Sequence, residues 1–332
     1  MARADSARRL VCAAAILWLS TCAAGCGLEK LVLGTDSGHL FIGYDTLALP
    51  GEEVAVKARL QSGGFLRDRA AVIVRFVCEG FLDCREVTDN EGFATTRFRP
   101  PSPGDYVVTA TVEGDLLKPP PADPATILVA CRTADAPLAV VDLDKTLVAS
   151  GFKTVLVGDP RPMPGSRDVM ARLARDFTPV YLTHRVDYLG PKSQAWLKGQ
   201  GYPRGPLLLA DVRNLLESSG SFKSEVLQGL RQRFRGRAIG IGDKPSDALA
   251  YAHNGLEALL LLTVPRKADA GDLRALARSL ADLPESVQVV TSWPEIERAV
   301  FDGQTHSRSQ AQTTLRLRAE SIDPRGPRAA GS

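Results

Sequence analysis

Four aspartates stand where short apolar segments of the chain end. Asp142 and Asp144 follow the apolar run 138–141, Asp243 closes the segment RAIGIGD, and Asp247 comes four residues later. Carboxylates held close together repel one another unless a cation or a proton relieves the repulsion. Because Mg²⁺ prefers carboxylate oxygens as ligands, this pattern predicts a magnesium site.

Three other polar residues occupy similar positions. Thr183 and Arg185 close a second apolar segment in the order Thr-His-Arg, and Lys223 begins a predicted helix after a third. Hydroxyl and ammonium groups suit phosphate oxygens. We therefore expect a phosphate group to bind beside the carboxylates.

The elements that must position these side chains alternate between strand and helix. Such alternation predicts an α/β fold, a Rossmann-like parallel sheet covered by helices on both faces. Ligands of such sheets lie at the carboxyl ends of the strands. The predicted strands are 138–141, 179–182, 207–209, 238–241 and 256–262, and the predicted helices are 166–177, 192–198, 224–234, 246–253 and 273–280.

The order of these motifs resembles the haloacid dehalogenase superfamily of phosphatases. The motif hhhDxDxT at 139–146 precedes the strand-end Thr, the Lys and GDxxxD at 242–247. Segments 201–230 and 242–255 are similar to phosphatidate phosphatases of the lipin type. This finer resemblance covers about 137–264 and departs from lipins at Lys145, where they have Gly.

The resemblance implies roles for the two residues of the first motif. Asp142 is expected to attack phosphorus and form an aspartyl-phosphate. Asp144 is expected to protonate the leaving alkoxide and then take a proton from the hydrolytic water. The implied Mg²⁺ ligands are Asp142, Asp243 and the backbone carbonyl of Asp144, with Asp247 acting through water.

The same resemblance assigns the transferring phosphoryl group to Thr183 and Lys223. Arg185 has two interpretations: it orients the headgroup or the motif, or it forms a surface salt bridge. Only 36 residues separate Thr146 from Thr183, which leaves no room for an inserted cap domain. Segment 151–165 is either a short flap or a plain crossover loop.

A site with a minimal cap is open to bulky substrates, such as a lipid headgroup or a protein surface. The resemblance to lipins implies that phosphatidate at a membrane surface is hydrolysed to diacylglycerol. Two alternatives stay open. One is a phosphatase for soluble or protein phosphomonoesters. The other is a non-catalytic module that binds anionic lipid.

The front part of the chain alternates apolar and polar residues with a period of two, which predicts a small β-sandwich over 45–113. Its segment 88–112 resembles bacterial immunoglobulin-like domains. Cys78 and Cys84 flank a short segment and either form a disulfide or stay free thiols. The unit is expected to be a spacer or a docking module for a protein partner. Residues 114–136 predict a Pro-rich linker before the phosphatase domain, 137–302.

The N-terminus is typical of an exported lipoprotein. Residues 1–25 combine three Arg, a short apolar run and small residues before Cys26, which predicts a signal peptide and lipidation of Cys26. Residues 26–44 then form a tether, and the expected location is the cell envelope, anchored by lipid to a membrane. The polar tail 303–332 predicts disorder. The net charge of +3 gives no indication of a nucleic-acid partner.

Overall fold

A computed structural model describes the protein over residues 39–62, 67–113, 123–149, 160–210, 218–265 and 267–324. The predicted signal peptide, Cys26 and most of the predicted tether lie outside the described residues, as does most of the predicted flap. Within the described ranges, no helix has the length and apolar character needed to cross a membrane.

Residues 39–131 form a β unit of two sheets. One sheet has the order β1-β3-β4 with β7 also paired to β3, and the other has the order β2-β9-β8-β5-β6. Apolar side chains that alternate along β3, β5 and β8 meet in one buried cluster between the sheets. The strands are β1 (His39–Tyr44), β2 (Thr46–Ala48), β3 (Val54–Ser62), β4 (Arg67–Asp68), β5 (Ile73–Cys78), β6 (Leu82–Val87), β7 (Phe93–Phe98), β8 (Gly104–Glu113) and β9 (Ala125–Cys131).

The predicted limits of this unit, 45–113, are too narrow. β1 precedes the predicted start, within what was predicted as a tether, and pairs with β3 along its whole length. β9 falls inside the predicted linker 114–136 and pairs with β8 from Gly104 to Ala110. Because the residues around 120 are rich in Pro, the sequence predicted a linker there, and the strand β9 that follows was not recognised.

The predicted disulfide is not present, because Cys78 and Cys84 are free thiols in the structure. Cys84 lies directly opposite Phe76 in the β5–β6 ladder, and Cys78 lies opposite Leu82. The two cysteines are therefore diagonal neighbours on adjacent strands. Cys84 instead lies 3.1 Å from the Thr96 hydroxyl.

The second part of the chain is a six-stranded sheet with the order β12-β11-β10-β13-β14-β15, and every neighbouring pair is parallel. This confirms the predicted parallel α/β sheet and adds β15. The strands are β10 (Leu138–Val141), β11 (Thr178–Val186), β12 (Leu207–Ala210), β13 (Ala238–Gly242), β14 (Glu257–Leu261) and β15 (Gln288–Val290).

Helices cover both faces of this sheet. One buried cluster lies under α1, α2 and α6, and the other under α3, α4, α5 and α7. The second cluster also contains Leu47, Leu128 and Ala130 of the β unit, so the two parts of the chain share a core. The helices are α1 (Ser166–Asp176), α2 (Gly190–Gly199), α3 (Ser219–Arg233), α4 (Pro245–His253), α5 (Ala270–Ala281), α6 (Trp293–Phe301) and α7 (Arg308–Ile322).

The prediction of a disordered tail over 303–332 is wrong for most of that range. α7 begins after Ser307, whose side chain accepts a hydrogen bond from the Gln310 backbone N–H. Leu315 and Ala319, one helical turn apart, are buried against α5. Two small apolar contacts among polar residues gave too weak a periodicity for the helix to be recognised. Residues 325–332 lie outside the described residues.

Candidate active site

The parallel register brings the predicted site residues to one edge of the sheet. Val141, the last residue of β10, pairs with Tyr181 on one side and Ile241 on the other. The Asp142 backbone N–H continues this ladder by donating to the Ile241 carbonyl at 2.9 Å. Asp142 therefore lies near Thr183 of β11 and near Asp243, which follows the end of β13.

Lys223 joins two of the carboxylates. Its Nζ donates to Asp142 Oδ1 at 2.8 Å and to Asp247 Oδ2 at 2.7 Å, and all three side chains are almost fully buried. The lysine lies in the second turn of α3 and not at the start of a helix as predicted, because α3 begins at Ser219, after the Ser218 cap. The predicted phosphate-binding ammonium thus also neutralises the predicted nucleophile.

Burial and charge act in opposite directions on these groups. Burial raises the pKa of Asp142 to about 6, although the Lys223 ammonium partly offsets it. Burial alone would lower the pKa of Lys223, but the charges of Asp142 and Asp247 raise it above its ordinary value. Lys223 is therefore a fixed positive charge at neutral pH.

Asp142, Asp243 and Asp247 form a candidate cation site, since one carboxylate oxygen from each lies within 4.8 Å of the others. Asp243 Oδ1 is buried and accepts no hydrogen bond from the described residues. Burial also raises the pKa of Asp243, which means that its charge is poorly compensated. An all-oxygen donor set with an unsatisfied buried oxygen fits Mg²⁺.

The Asp144 carboxylate lies apart from that group and is held by Arg185. Arg185 Nε and Nη2 donate to Asp144 Oδ2 and Oδ1 at 2.9 and 2.8 Å, and Nη1 donates to the Ser193 hydroxyl at 2.9 Å. The Arg185 side chain is only 2% exposed. Of its two interpretations, the structure therefore supports orientation of the motif over a surface salt bridge. Ser193 was not recognised from the sequence because nothing in the helical pattern of α2 distinguishes it.

A β-bulge directs Arg185 toward this position. In the β11–β12 pair, Thr183 pairs with Leu209 but Val186 pairs with Ala210, so two additional residues of β11 are accommodated there. The Arg185 backbone N–H donates to the Thr183 hydroxyl oxygen at 3.3 Å. Thr183 itself is buried.

Lys145 directly follows the second motif aspartate, Asp144, and has an uncommon backbone conformation. Its φ is 58°, in the left-handed region that favours glycine, and its side chain is exposed. Burial raises the pKa of Asp243, and the ammonium groups of Lys244 and Lys145 partly offset this effect. The glycine that lipins carry at this position would adopt the same turn without strain.

Glycine is needed on β13 for a packing reason. A Cβ at Gly240 would lie 2.3 Å from the Tyr251 ring, which α4 packs directly onto the strand. The buried Tyr251 hydroxyl donates to the Ile241 carbonyl at 3.3 Å. This close packing fixes α4, and with it Asp247, against the end of the sheet.

Residues 139–260 match a family model that is described as "PITM 1-3, LNS2 domain". The matched range contains every predicted site residue from Asp142 to Asp247. The match supports a domain of the haloacid dehalogenase-like LNS2 type over this part of the chain. No curated protein sequence matches the chain.

Similarity to solved structures is weak. The D0-D1 domain of intimin is 18% identical over 28% of this chain and 46% of its own length, with a TM-score of 0.22. A putative alpha-galactosidase from Bacteroides fragilis is 15% identical over 76% of this chain and 51% of its own, with a TM-score of 0.18. The M1 domain from titin is 10% identical over 28% of this chain and 92% of its own, at 0.19. TM-scores this low carry no argument about fold or function.

Proposed function

We propose that the protein is a Mg²⁺-dependent phosphatase that hydrolyses a phosphomonoester, with phosphatidate at a membrane surface as its substrate. The observation that carries the proposal is the buried group of Asp142, Asp243 and Asp247 around Lys223, at the carboxyl ends of parallel strands. Binding alone does not require a buried carboxylate next to a buried ammonium.

Asp142 is the nucleophile of this proposal. Its carboxylate oxygen forms a bond to phosphorus while the bond from phosphorus to the alkoxide breaks, which leaves an aspartyl-phosphate. Lys223 keeps Asp142 ionised, and the Lys223 ammonium and the Thr183 hydroxyl bind the phosphoryl oxygens. Water then attacks phosphorus, which releases inorganic phosphate and restores Asp142.

Asp144 is the proposed acid and base. It gives a proton to the leaving alkoxide and takes one from the attacking water. Both of its oxygens accept hydrogen bonds from Arg185. Each oxygen keeps a second lone pair that can hold the transferred proton, so Arg185 fixes the orientation of Asp144.

The carboxylates of Asp142, Asp243 and Asp247 are the residues that would hold Mg²⁺. The ion, when bound, neutralises negative charge on the phosphoryl oxygens. The predicted contribution of the Asp144 backbone carbonyl stays part of this proposal.

The substrate assignment rests on the open site and on the resemblance to lipins. Its test compares phosphate release from phosphatidate vesicles with release from a small aryl phosphate, both with Mg²⁺. A clear preference for phosphatidate supports the lipid substrate. Equal rates on both, or activity on the aryl phosphate alone, assign the enzyme to soluble or protein phosphomonoesters.

A non-catalytic module for anionic lipid is the second candidate, and the Arg185–Asp144 pair favours it, because that pair engages both oxygens of the acid. In this case the vesicles bind the protein and no phosphate is released from any ester. Substitution of Lys223 would then weaken vesicle binding.

Lipid anchoring in the cell envelope completes the proposal and rests on residues 1–26. Its test is mass spectrometry of the mature protein from cells that express the full chain. The expected product begins at Cys26 and carries acyl groups, and the Cys26→Ser variant lacks them. A mature wild-type chain that retains residues 1–25 contradicts the anchor.

A further inference from the structure

A second buried charge cluster joins the β unit to the end of β11. Asp187 follows β11 directly, two residues after Arg185, and is fully buried. Its Oδ2 accepts hydrogen bonds from Tyr44 Oη at 2.6 Å and from Arg59 Nη1 at 2.8 Å. Both donors belong to the β unit, whereas the acceptor belongs to the α/β domain.

The two donors are themselves tightly held. Arg59 also donates from Nε to Asp68 and to the Glu91 carbonyl, each at 3.2 Å, and its guanidinium lies over the Phe93 ring. Burial and the neighbouring Asp187 charge raise the pKa of Tyr44, so the phenol stays a proton donor. The β unit thus presents two fixed donors to one carboxylate oxygen.

This contact lies at the far end of the bulge that carries Arg185. The bulge lies between Thr183 and Val186, and Asp187 is the first residue after it. A bulge leaves residues without ladder partners, so its shape depends on how its two ends are held. Thr183 anchors one end in the sheet, and Tyr44 with Arg59 anchor the other through Asp187.

Two more contacts join the β unit to the region around the bulge of β11. A Cβ on Gly190 would lie 3.6 Å from Ile42 of β1 and 2.8 Å from Leu209, so the start of α2 packs closely there. Asp45 accepts hydrogen bonds from the backbone N–H groups of Leu128 in β9 and Leu207 in β12. The β unit therefore lies against β12 and α2, the neighbours of the bulge.

We infer that Tyr44, Arg59 and Asp187 are positioning residues, which hold the bulge so that Arg185 meets Asp144. The inference rests on the proposed function. It makes the β unit part of the machinery that aligns the proposed acid, in addition to any role as a spacer or docking module.

The kinetic test uses the full chain with Tyr44→Phe, which removes one hydroxyl. We expect kcat to fall about 10-fold, with KM within about twofold of wild type, because a misplaced acid slows the chemical step. Combined with Arg185→Lys, the same substitution should lower kcat by less than it does alone, since both act through one contact. The matched control is Arg75→Ala, which removes an exposed ion pair of the β unit and should leave kcat unchanged.

The structural test needs no turnover. Crystal structures of wild type, Tyr44→Phe and Asp187→Asn report the Arg185–Asp144 contact, and the Lys223–Asp142 contact serves as the internal reference. We expect the first contact to be lost or displaced in at least one variant while the second persists. If both variants keep the Arg185–Asp144 contact, the inference is overturned. A wild-type protein without turnover would instead overturn the proposed function, while the crystal structures still decide the inference.

Discussion

Among the described residues, two buried clusters of charge differ in their ratio of carboxylates to cations. In the first, three carboxylates, Asp142, Asp243 and Asp247, surround the single buried ammonium of Lys223. In the second, the Arg59 guanidinium pairs with the fully buried Asp187 carboxylate and with Asp68, and the Tyr44 phenol also donates to Asp187. The first cluster has three carboxylates for one ammonium, which leaves negative charge for a cation to neutralise, whereas the second has two carboxylates for one guanidinium and joins two units of the fold.

The two clusters also differ in position. The three-carboxylate cluster lies at the ends of β10 and β13, and the Asp187 cluster lies on the junction between the β unit and the α/β domain. The bulge of β11 connects the two, because Arg185 stands between Thr183 and Asp187. Substitutions of Asp142, Asp187 and Asp243 each act on one cluster and leave the other in place.

The largest effect is expected from Asp142→Asn. Loss of the nucleophile should lower turnover of an aryl phosphate by about 1,000-fold or more. Asp83→Asn is the control, because it removes an exposed carboxylate of the β unit. Steady-state rates of the two variants measure the difference, and equal rates would mean that Asp142 is not the nucleophile.

Asp187→Asn should have the largest effect on stability. It removes the buried charge partner of the Arg59 guanidinium and leaves only the partly exposed Asp68, which costs about 3 kcal/mol of unfolding free energy. Denaturant unfolding of wild type and variant measures this. A change below 0.5 kcal/mol, on the order seen for surface substitutions, would show that the second cluster does not hold the junction.

Asp243→Asn, in contrast to Asp187→Asn, should not lower the unfolding free energy when no metal is bound. In EDTA the variant should be at least as stable as wild type, because one of three repelling carboxylates is neutral. Mg²⁺ at 100 times its Kd should stabilise wild type by about 2.7 kcal/mol, and this gain should be largely lost in the variant. Thermal unfolding with and without Mg²⁺ measures both effects. An undiminished Mg²⁺ gain in the variant would place the cation elsewhere.

The junction should also respond to pH through Asp45. Burial raises the pKa of Asp45 to about 6, against hydrogen bonds from Leu128, Leu207 and Gln194 that lower it. Because the folded-state pKa is above the unfolded value, the contribution to stability is full below about pH 4 and is lost as the pH rises through 6. The stability of wild type relative to Asp45→Asn should therefore fall between pH 4 and 7 in denaturant unfolding. If the difference in unfolding free energy between the two proteins stays constant across this range, the raised pKa of Asp45 in the folded state is contradicted.

The smallest effect is expected at Lys145. Lys145→Gly should raise the unfolding free energy by about 1 kcal/mol, because it relieves the left-handed φ. Lys145→Ala removes the same ammonium but keeps a Cβ, so it should not give this gain. If both variants are equally stabilised, the cause is charge and not backbone strain.

The sequence was sufficient to predict the α/β sheet and most residues of the candidate site. Short apolar runs predict β10 and β13, and the residues that follow them, Asp142 and Asp243, are expected to meet because a parallel sheet gathers its strand ends. The order of the motifs added Thr183 and Lys223. These signals are local, so they are readable without knowledge of the fold.

The rest depends on contacts between distant parts of the chain. Asp187 is separated by 143 residues from Tyr44 and by 128 from Arg59, and no local pattern predicts such a meeting. The bulge that aims Arg185 arises from the mismatch between β11 and β12. α7 has only Leu315 and Ala319 buried in its polar sequence, and its helix is stabilised by packing against α5.

The most direct test of the central claim is phosphate release from phosphatidate vesicles by the purified full chain. The account predicts release with Mg²⁺ by wild type and by Asp83→Asn, and none by wild type in EDTA or by Asp142→Asn. Release that persists in EDTA, or in the Asp142→Asn variant, would contradict it.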